Sequence, residues 1–235
     1  MSIDDIRSRL KALGDPERAA VLQRFFKTGP GGYGEGDIFH GIRVPDLRKV
    51  AKEVDATVAD ALLLLKSPVH EERLVALLIL IRLFSKEDGP ARKGIFNAYL
   101  KNTAHTNSWD LVDLSADKII GAYLEDKDRS PIYRLAKSKS VWERRMAMMA
   151  TFHYIKKRNY ADALKVAGLL LHDTEDLIHK AAGWMLREIG KRDMAVEKVF
   201  LKEHCKVMPR TMLRYAIERF PEKKRVGYLK GNPVD

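Results

Sequence analysis

The sequence predicts an all-α protein, an α-solenoid of HEAT-like or armadillo-like helical repeats with a concave basic surface. Similar helical segments return about every 35 residues, and strand signals are absent. In such a stack the second helices of successive pairs line one surface. The charge adds a third observation, because 43 Lys and Arg residues against 32 Asp and Glu residues give a net charge of +11. An excess of this size favours an anionic partner such as nucleic acid.

The first part of the chain, residues 1–56, is predicted to hold three helices, over 3–13, 16–27 and 45–53. Asp15 can cap the second helix, and Pro16 suits its first turn. Arg43 stands near the start of the third helix, where it is expected either to meet phosphates or to face solvent.

A glycine-rich segment, residues 29–36, interrupts these helices. It contains five glycines and one proline, which predicts a surface loop. It lacks the Gly-Lys-Ser/Thr ending of a phosphate-cradling loop. We expect one domain over 1–235, in which the helical repeats begin at residue 57.

Basic residues recur at one position of the repeated segments: Arg73, Arg145, Lys180 and Arg214. The steps between them are 72, 35 and 34 residues, so one repeat is skipped after the first. In the helix predicted over 175–191, four residues follow one line: Lys180, Trp184, Arg187 and Lys191. Cations and aromatic rings along a groove suit a nucleic acid backbone, although many such cations merely solvate a helix face.

The skipped repeat contains Trp109 and Asp113, which a helix places on one edge. An acid on a basic surface weakens polyanion binding unless it faces positive charge in the ligand. The commoner alternative is that Trp109 packs in the core and Asp113 is a solvated or salt-bridged acid.

The sequence does not indicate a disulfide, a metal site, a secretion signal or a membrane span. The single cysteine, Cys205, excludes an internal disulfide and fits a reducing compartment. The seven histidines lack the spacing of a helical metal site, so we expect neither a metal nor another cofactor. The chain starts without a secretory pattern, and its longest apolar run, residues 74–81, is too short to span a bilayer. We therefore expect a soluble, cytoplasmic protein with no membrane partner.

Four separated segments resemble the AlkD-type DNA glycosylases, which are HEAT-like repeat enzymes. The segments are Phe39-His-Gly-Ile-Arg-Val-Pro45, Ser108-Trp-Asp-Leu-Val-Asp113, Val141-Trp-Glu-Arg-Arg145 and Ala182-Gly-Trp-Met-Leu-Arg-Glu188. The resemblance covers nearly the whole chain. It implies a DNA repair glycosylase that hydrolyses the N-glycosidic bond of N3- and N7-alkylated purines in duplex DNA.

The resemblance also implies roles for individual residues. Asp113 matches the catalytic acid, Trp109 and Trp184 match tryptophans that pack on the deoxyribose, and Arg145 matches an arginine that holds a phosphate. Arg187 falls on a further backbone-contacting position. The expected DNA-binding set is Arg43, Arg145, Lys180, Arg187, Lys191 and Arg214.

Two alternatives stay open at the level of sequence. One is a non-catalytic HEAT-like protein that binds damaged or branched DNA. The other is a protein-binding helical-repeat scaffold, which leaves the combination of Trp109, Asp113, Arg145 and Trp184 unexplained. We expect the protein to be a monomer.

Overall fold

The computed structural model describes residues 3–231, and the chain divides into two compact units, residues 1–115 and 116–235. Within residues 3–231 the chain forms helices, turns and loops but no strand, apart from one isolated bridge between Ile38 and Val69. The predicted all-α fold is therefore confirmed. That residues 1–235 form a single domain stays a prediction. Across the described residues, no helix combines the length and apolar character needed to cross a membrane.

The first unit follows the helices expected from the sequence. Its helices are α1 Ile3–Ala12, α2 Pro16–Phe25, α3 Val44–Glu53, α4 Val58–Leu65, α5 His70–Lys86, α6 Gly89–Lys101 and α7 Trp109–Ala116. Asp15 caps α2 as predicted, since its Oδ1 accepts a hydrogen bond from the Arg18 amide at 3.0 Å. Helix α4 begins with a capping box between Thr57 and Asp60. Because α4 and α5 are joined by a short loop and pack together, they form the first helix pair.

The second unit continues the pattern of helix pairs. Its helices are α8 Ser130–Ala136, α9 Val141–Ala150, α10 Phe152–Ile155, α11 Ala161–Leu169, α12 Asp176–Gly190, α13 Met194–His204, α14 Arg210–Ala216 and α15 Glu222–Leu229. Helix α8 packs on α9, and α11 and α13 both pack on α12. The second helices also pack on each other, α9 on α12 and α12 on α14. The repeated segments of the sequence lie on these second helices.

A glycine sets how closely α12 approaches α14. A Cβ atom built on Gly183 would lie 2.4 Å from the Met212 carbonyl oxygen and 2.6 Å from the Tyr215 Cβ. Backbone and Cβ atoms cannot swing aside as the end of a flexible side chain can. The small residue is therefore required by packing and not by backbone conformation.

We expect Gly183→Ala to lower the free energy of unfolding by about 1–3 kcal/mol, the usual cost of overpacking. Gly168→Ala is the matched control, because it also lies in a helix but a Cβ there would contact nothing within 4 Å. That variant should be neutral or gain up to about 1 kcal/mol from improved helix propensity. Urea unfolding of both variants measures the difference, and equal stabilities would contradict the close approach.

Candidate functional site

Trp109 is the first residue of α7 and is half-buried within the first unit. Its indole stacks on Phe26, with ring centroids 5.4 Å apart and an interplanar angle of 8°, and meets the edge of Phe25 at 6.1 Å. The indole Nε1 donates a hydrogen bond to the hydroxyl of Tyr33 at 3.2 Å. Tyr33 belongs to the glycine-rich loop, so that loop helps to hold the tryptophan. Trp109 is thus fixed by packing while part of its surface remains accessible.

Asp113 lies four residues further along α7 and is also half-buried. The helix continues into a π-helical turn, Asp117–Gly121, a distortion that often occurs at functional sites. Asp117 does not share the exposure of Asp113, because its side chain is buried and accepts a hydrogen bond from Lys156 Nζ at 2.7 Å. Trp109 and Asp113 are therefore both half-buried and lie four residues apart on this helix.

A cluster that the sequence did not predict surrounds His70, at the start of α5. The His70 ring is 2% exposed, and its Nε2 lies 2.8 Å from Asp110 Oδ2. Its Nδ1 lies 3.1 Å from Asp37 Oδ2, and Arg73 also binds Asp37. The imidazole stacks on Phe39 at a centroid distance of 4.5 Å. His70 thus connects a loop carboxylate, Asp37, to the first turn of α7.

The charges and hydrogen bonds of this cluster shift the pKa values of His70 and Asp37. Burial lowers the pKa of the His70 imidazole, but hydrogen bonds to Asp110 and Asp37 outweigh burial and raise it above its ordinary value. Burial raises the pKa of Asp37, but the hydrogen bond to His70 and the charge of Arg73 outweigh burial and lower it. Each charged form is therefore stabilised by its neighbours.

Glu71, the next residue of α5, fixes the first of the four resembling segments. Its buried carboxylate accepts hydrogen bonds from the backbone amides of His40 at 3.0 Å, Gly41 at 2.8 Å and Ile42 at 3.2 Å. Gly41 adopts φ +82, a conformation that favours glycine. Its absent Cβ leaves room for the Asp15 carbonyl oxygen, which would lie 2.1 Å away. This loop ends directly before α3.

Trp184 lies on α12 in the second unit and is half-buried. Its Nε1 donates to Glu188 Oε1 at 3.3 Å, and its ring lies 6.2 Å from that of Phe152. Glu188 also pairs with Lys191 at 2.5 Å and with Arg192 at 2.8 Å. Burial raises the pKa of Glu188, but these hydrogen bonds outweigh it and lower the pKa. The tryptophan is therefore oriented by a carboxylate that two cations keep ionised.

The predicted DNA-binding cations differ in exposure and partners. Arg145 is buried, at 4% exposure, and donates to the carbonyl oxygen of Leu177. Arg187 pairs with Glu218, and Lys180 pairs with Asp176 at 2.7 Å.

Arg214 and Arg43 are exposed, and Arg43 pairs with Asp46 at 2.9 Å. Of the four aligned basic positions, Arg73 and Arg145 are buried, and Arg73 is held against Asp37, so Lys180 and Arg214 are the accessible members of the stripe. Trp109, Asp113 and Arg43 belong to the first unit, and Arg145, Lys180, Trp184, Arg187, Lys191 and Arg214 to the second.

A buried acid near Arg187, Glu197, was also not predicted from the sequence. Glu197, on α13, is 1% exposed, and burial raises its pKa to about 8, while the charge of Arg187 lowers it. It packs on Gly190, where a Cβ atom would overlap its carboxylate. Gly190, near the end of a helical pattern, was the one available signal, since close packing is a common reason for such a glycine. In residues 3–231, no group of three or more His, Cys, Asp or Glu residues is arranged to hold a metal ion.

The chain is similar to one protein family and to several solved structures. A family model described as "DNA alkylation repair enzyme" matches residues 6–220. No curated protein matches the chain.

Similar solved structures include a predicted DNA alkylation repair enzyme from Enterococcus faecalis, at 18% identity and a TM-score of 0.69, with 89% of this chain and 97% of that one covered. AlkD2 from Streptococcus mutans is 19% identical at a TM-score of 0.56, with 94% and 100% covered. The protein smu.31 from Streptococcus mutans UA159 is 20% identical at 0.54, with 92% and 96% covered. At these identities the likeness shows the fold.

The raised pKa of Glu197 predicts a specific pH dependence of stability. The unfolded chain loses this proton near its ordinary pKa of 4.5 and the folded protein near 8, so stability falls as pH rises between these values. Glu197→Gln removes this loss, which amounts to at most about 1.4 kcal/mol per pH unit. Its stability relative to the parent should rise from about pH 5 to about pH 8 in urea unfolding.

Glu203→Gln is the control, because Glu203 lies on the same helix with its side chain 65% exposed. Its stability relative to the parent should show no comparable rise between about pH 5 and about pH 8. A Glu197→Gln curve parallel to that of the parent would show that Glu197 is ionised in the folded protein at neutral pH.

Proposed function

The chain belongs to the family of DNA alkylation repair enzymes, and we propose that it is a DNA glycosylase that releases cationic N3- and N7-alkylated purines from duplex DNA. The observation that carries this proposal is the pair of Trp109 and Asp113 on α7, inside the matched range and both half-buried. Family membership supports DNA as the partner and an enzymatic role. The substrate and the bond that is cut are our proposal.

The chemistry of the substrate explains why so few groups are needed. Alkylation at N3 or N7 makes the purine a cation and a good leaving group, and positive charge develops on the sugar as the glycosidic bond breaks. A preorganised carboxylate stabilises this charge more strongly in the transition state than in the ground state. We assign this role to Asp113, which also orients the attacking water.

The aromatic groups complement the carboxylate. The negative face of an indole attracts the polarised C–H groups of a sugar that is becoming cationic. Trp109 supports this role because Phe26 stacks on it and Tyr33 accepts its N–H, so the ring keeps a fixed orientation. Trp184 receives the same role in the second unit, where Glu188 holds its N–H.

The six cations of the expected DNA-binding set are proposed to bind phosphates. Lys180, Arg187 and Lys191 now hold acidic partners, which a phosphate has to replace. Arg145 is buried and donates to a carbonyl oxygen of α12, so it also supports packing. We propose a monomer that acts in the cytoplasm without a metal or another cofactor.

Asp113→Asn is the central test, because the amide keeps the shape of the side chain but loses its charge. Single-turnover release of 7-methylguanine from duplex DNA should fall by about 10²- to 10³-fold. Affinity for undamaged duplex should stay the same or rise, since an anion has been removed from a phosphate-binding surface. Asp126→Asn is the matched control, because that carboxylate is 78% exposed, and its rate should be unchanged.

Four outcomes would contradict the proposal in different ways. Equal losses of activity, affinity and thermal stability in Asp113→Asn mean that the acid is structural. Efficient release of uracil, a neutral base, removes the electrostatic mechanism. Salt-sensitive binding of duplex DNA without base release from any alkylated substrate identifies a non-catalytic DNA-binding protein, and absent DNA binding identifies a protein scaffold.

Arg187→Ala tests the phosphate contacts. Affinity for duplex DNA should fall with salt, with a log–log slope of about −0.9 for each phosphate contact, and this substitution should flatten the slope by about one unit. Arg134→Ala is the control for the change in net charge, because Arg134 is exposed on α8, a first helix of its pair. Equal slopes in the two variants would remove Arg187 from the interface.

A further inference from the structure

The start of α7 lacks the side-chain cap that usually satisfies a helix N-terminus. The side-chain oxygens of Thr106, Asn107 and Ser108, which precede the helix, are buried and have no hydrogen-bond partner within the described protein. Thr106 and Ser108 are at most 1% exposed. Something other than a local cap must therefore hold the first turn of this helix in place.

Two residues of that first turn make long-range contacts instead. Trp109 donates to Tyr33 and stacks on Phe26. Asp110 accepts through Oδ2 from His70 Nε2 at 2.8 Å, while its Oδ1 is buried without a partner. The link from His70 to Asp110 spans 40 residues and joins the start of α5 to the start of α7.

His70 itself is held on every side. Asp37 lies 3.1 Å from its Nδ1, and Arg73 Nη2 lies 3.4 Å from the same atom. Its ring packs against Phe39 and against Phe26 at 4.9 Å, and Phe26 in turn carries Trp109. The imidazole therefore reaches α7 by two routes, through the carboxylate of Asp110 and through the ring of Phe26.

We propose that His70 is a positioning residue for the DNA glycosylase site. By donating a hydrogen bond from Nε2 to Asp110, it fixes the first turn of α7 and thereby the orientation of Trp109 and Asp113. This inference rests on the proposed function. Asp110 and Asp113 are three residues apart, so they are neighbours on the helix surface. A turn that is free to fray displaces the carboxylate of Asp113 from the developing charge, and displacements of about 1 Å cost up to about 10²-fold in rate.

The role requires a hydrogen-bond donor and no transfer of a proton. Nε2 carries a hydrogen both in the charged imidazolium and in the neutral tautomer protonated at Nε2. The charged groups that face the ring are Asp37, Asp110 and Arg73. In that neutral tautomer the bond to Asp110 is kept, and Nδ1 faces the donor Nη2 of Arg73 at 3.4 Å.

The test compares His70→Gln with His70→Met. The two side chains have nearly the same size, but glutamine places an N–H donor near the position of Nε2 and methionine has none. We expect single-turnover release of 7-methylguanine, per folded protein and at saturating enzyme, to stay within about threefold of the parent for His70→Gln. For His70→Met the rate should fall by about 10- to 100-fold, with affinity for undamaged duplex unchanged. Rates that agree within threefold between the two variants overturn the proposal.

Substitutions at Asp110, the acceptor of the same hydrogen bond, keep the proposal testable if a His70 variant fails to fold. Asp110→Asn keeps an oxygen that accepts from Nε2, whereas Asp110→Leu has a similar size without an acceptor. Asparagine should preserve the rate and leucine should lower it by the same 10- to 100-fold. A double-mutant cycle of His70→Met with Asp110→Leu should give a loss close to that of either single variant, because both remove one bond. Additive losses overturn the proposal.

A readout independent of catalysis separates this inference from the proposed function. In a background with Trp142→Phe and Trp184→Phe, the emission reports Trp109 alone among the three tryptophans. His70→Met should shift this emission to the red as the first turn loosens, and His70→Gln should not. Should the parent protein release no alkylated base, the proposed function fails while the emission still decides whether His70 positions α7. Unchanged emission in both variants overturns the positioning role.

Discussion

The structure of the first unit depends on hydrogen bonds and ion pairs that compensate four consecutive buried polar side chains at the start of α5. His70, Glu71, Glu72 and Arg73 are all between 2% and 5% exposed. Burying an uncompensated charge costs several kcal/mol, so each of them must have a partner. His70 and Arg73 bind Asp37, Glu71 accepts three backbone amides, and Glu72 accepts from Arg7 Nε at 3.2 Å. These partners come from α1 and from the loop before α3, and Asp110 of α7 is a second partner of His70. Four segments of the first unit therefore meet at the start of α5.

Sequence reasoning predicted the regular parts of the fold because they depend on local signals. The bounds of α1, α2 and α3 agree with the expected ranges to within two residues, and the repeated segments lie on α5, α9, α12 and α14. Caps, prolines and apolar periodicity act over a few residues and can be read directly. The family resemblance contributed what periodicity could not, namely the assignment of roles to Trp109, Asp113, Arg145 and Trp184, and those roles stay predictions.

The contacts that organise the candidate site could not be predicted in this way. His70 meets Asp37 and Asp110 across 33 and 40 residues, and a helix that starts with four polar residues is ordinarily expected to expose them. Arg73 was aligned with surface cations by its spacing, but burial against Asp37 removes it from that surface. Spacing along a chain fixes the repeat position of a residue, whereas its exposure depends on which loop covers that position.

The shared partners at the start of α5 also constrain how such a protein can change over time. Asp37 binds both His70 and Arg73, so replacement of Asp37 or of Arg73 leaves the other with a buried charge that has lost its partner. Accepted substitutions at these positions should therefore occur as coordinated sets rather than singly. Relatives should carry either the whole group or a wholly different, neutral packing of the same space. A chimaera that exchanges the glycine-rich loop and Asp37 but not the start of α5 would separate Asp37 from the residues that compensate its charge.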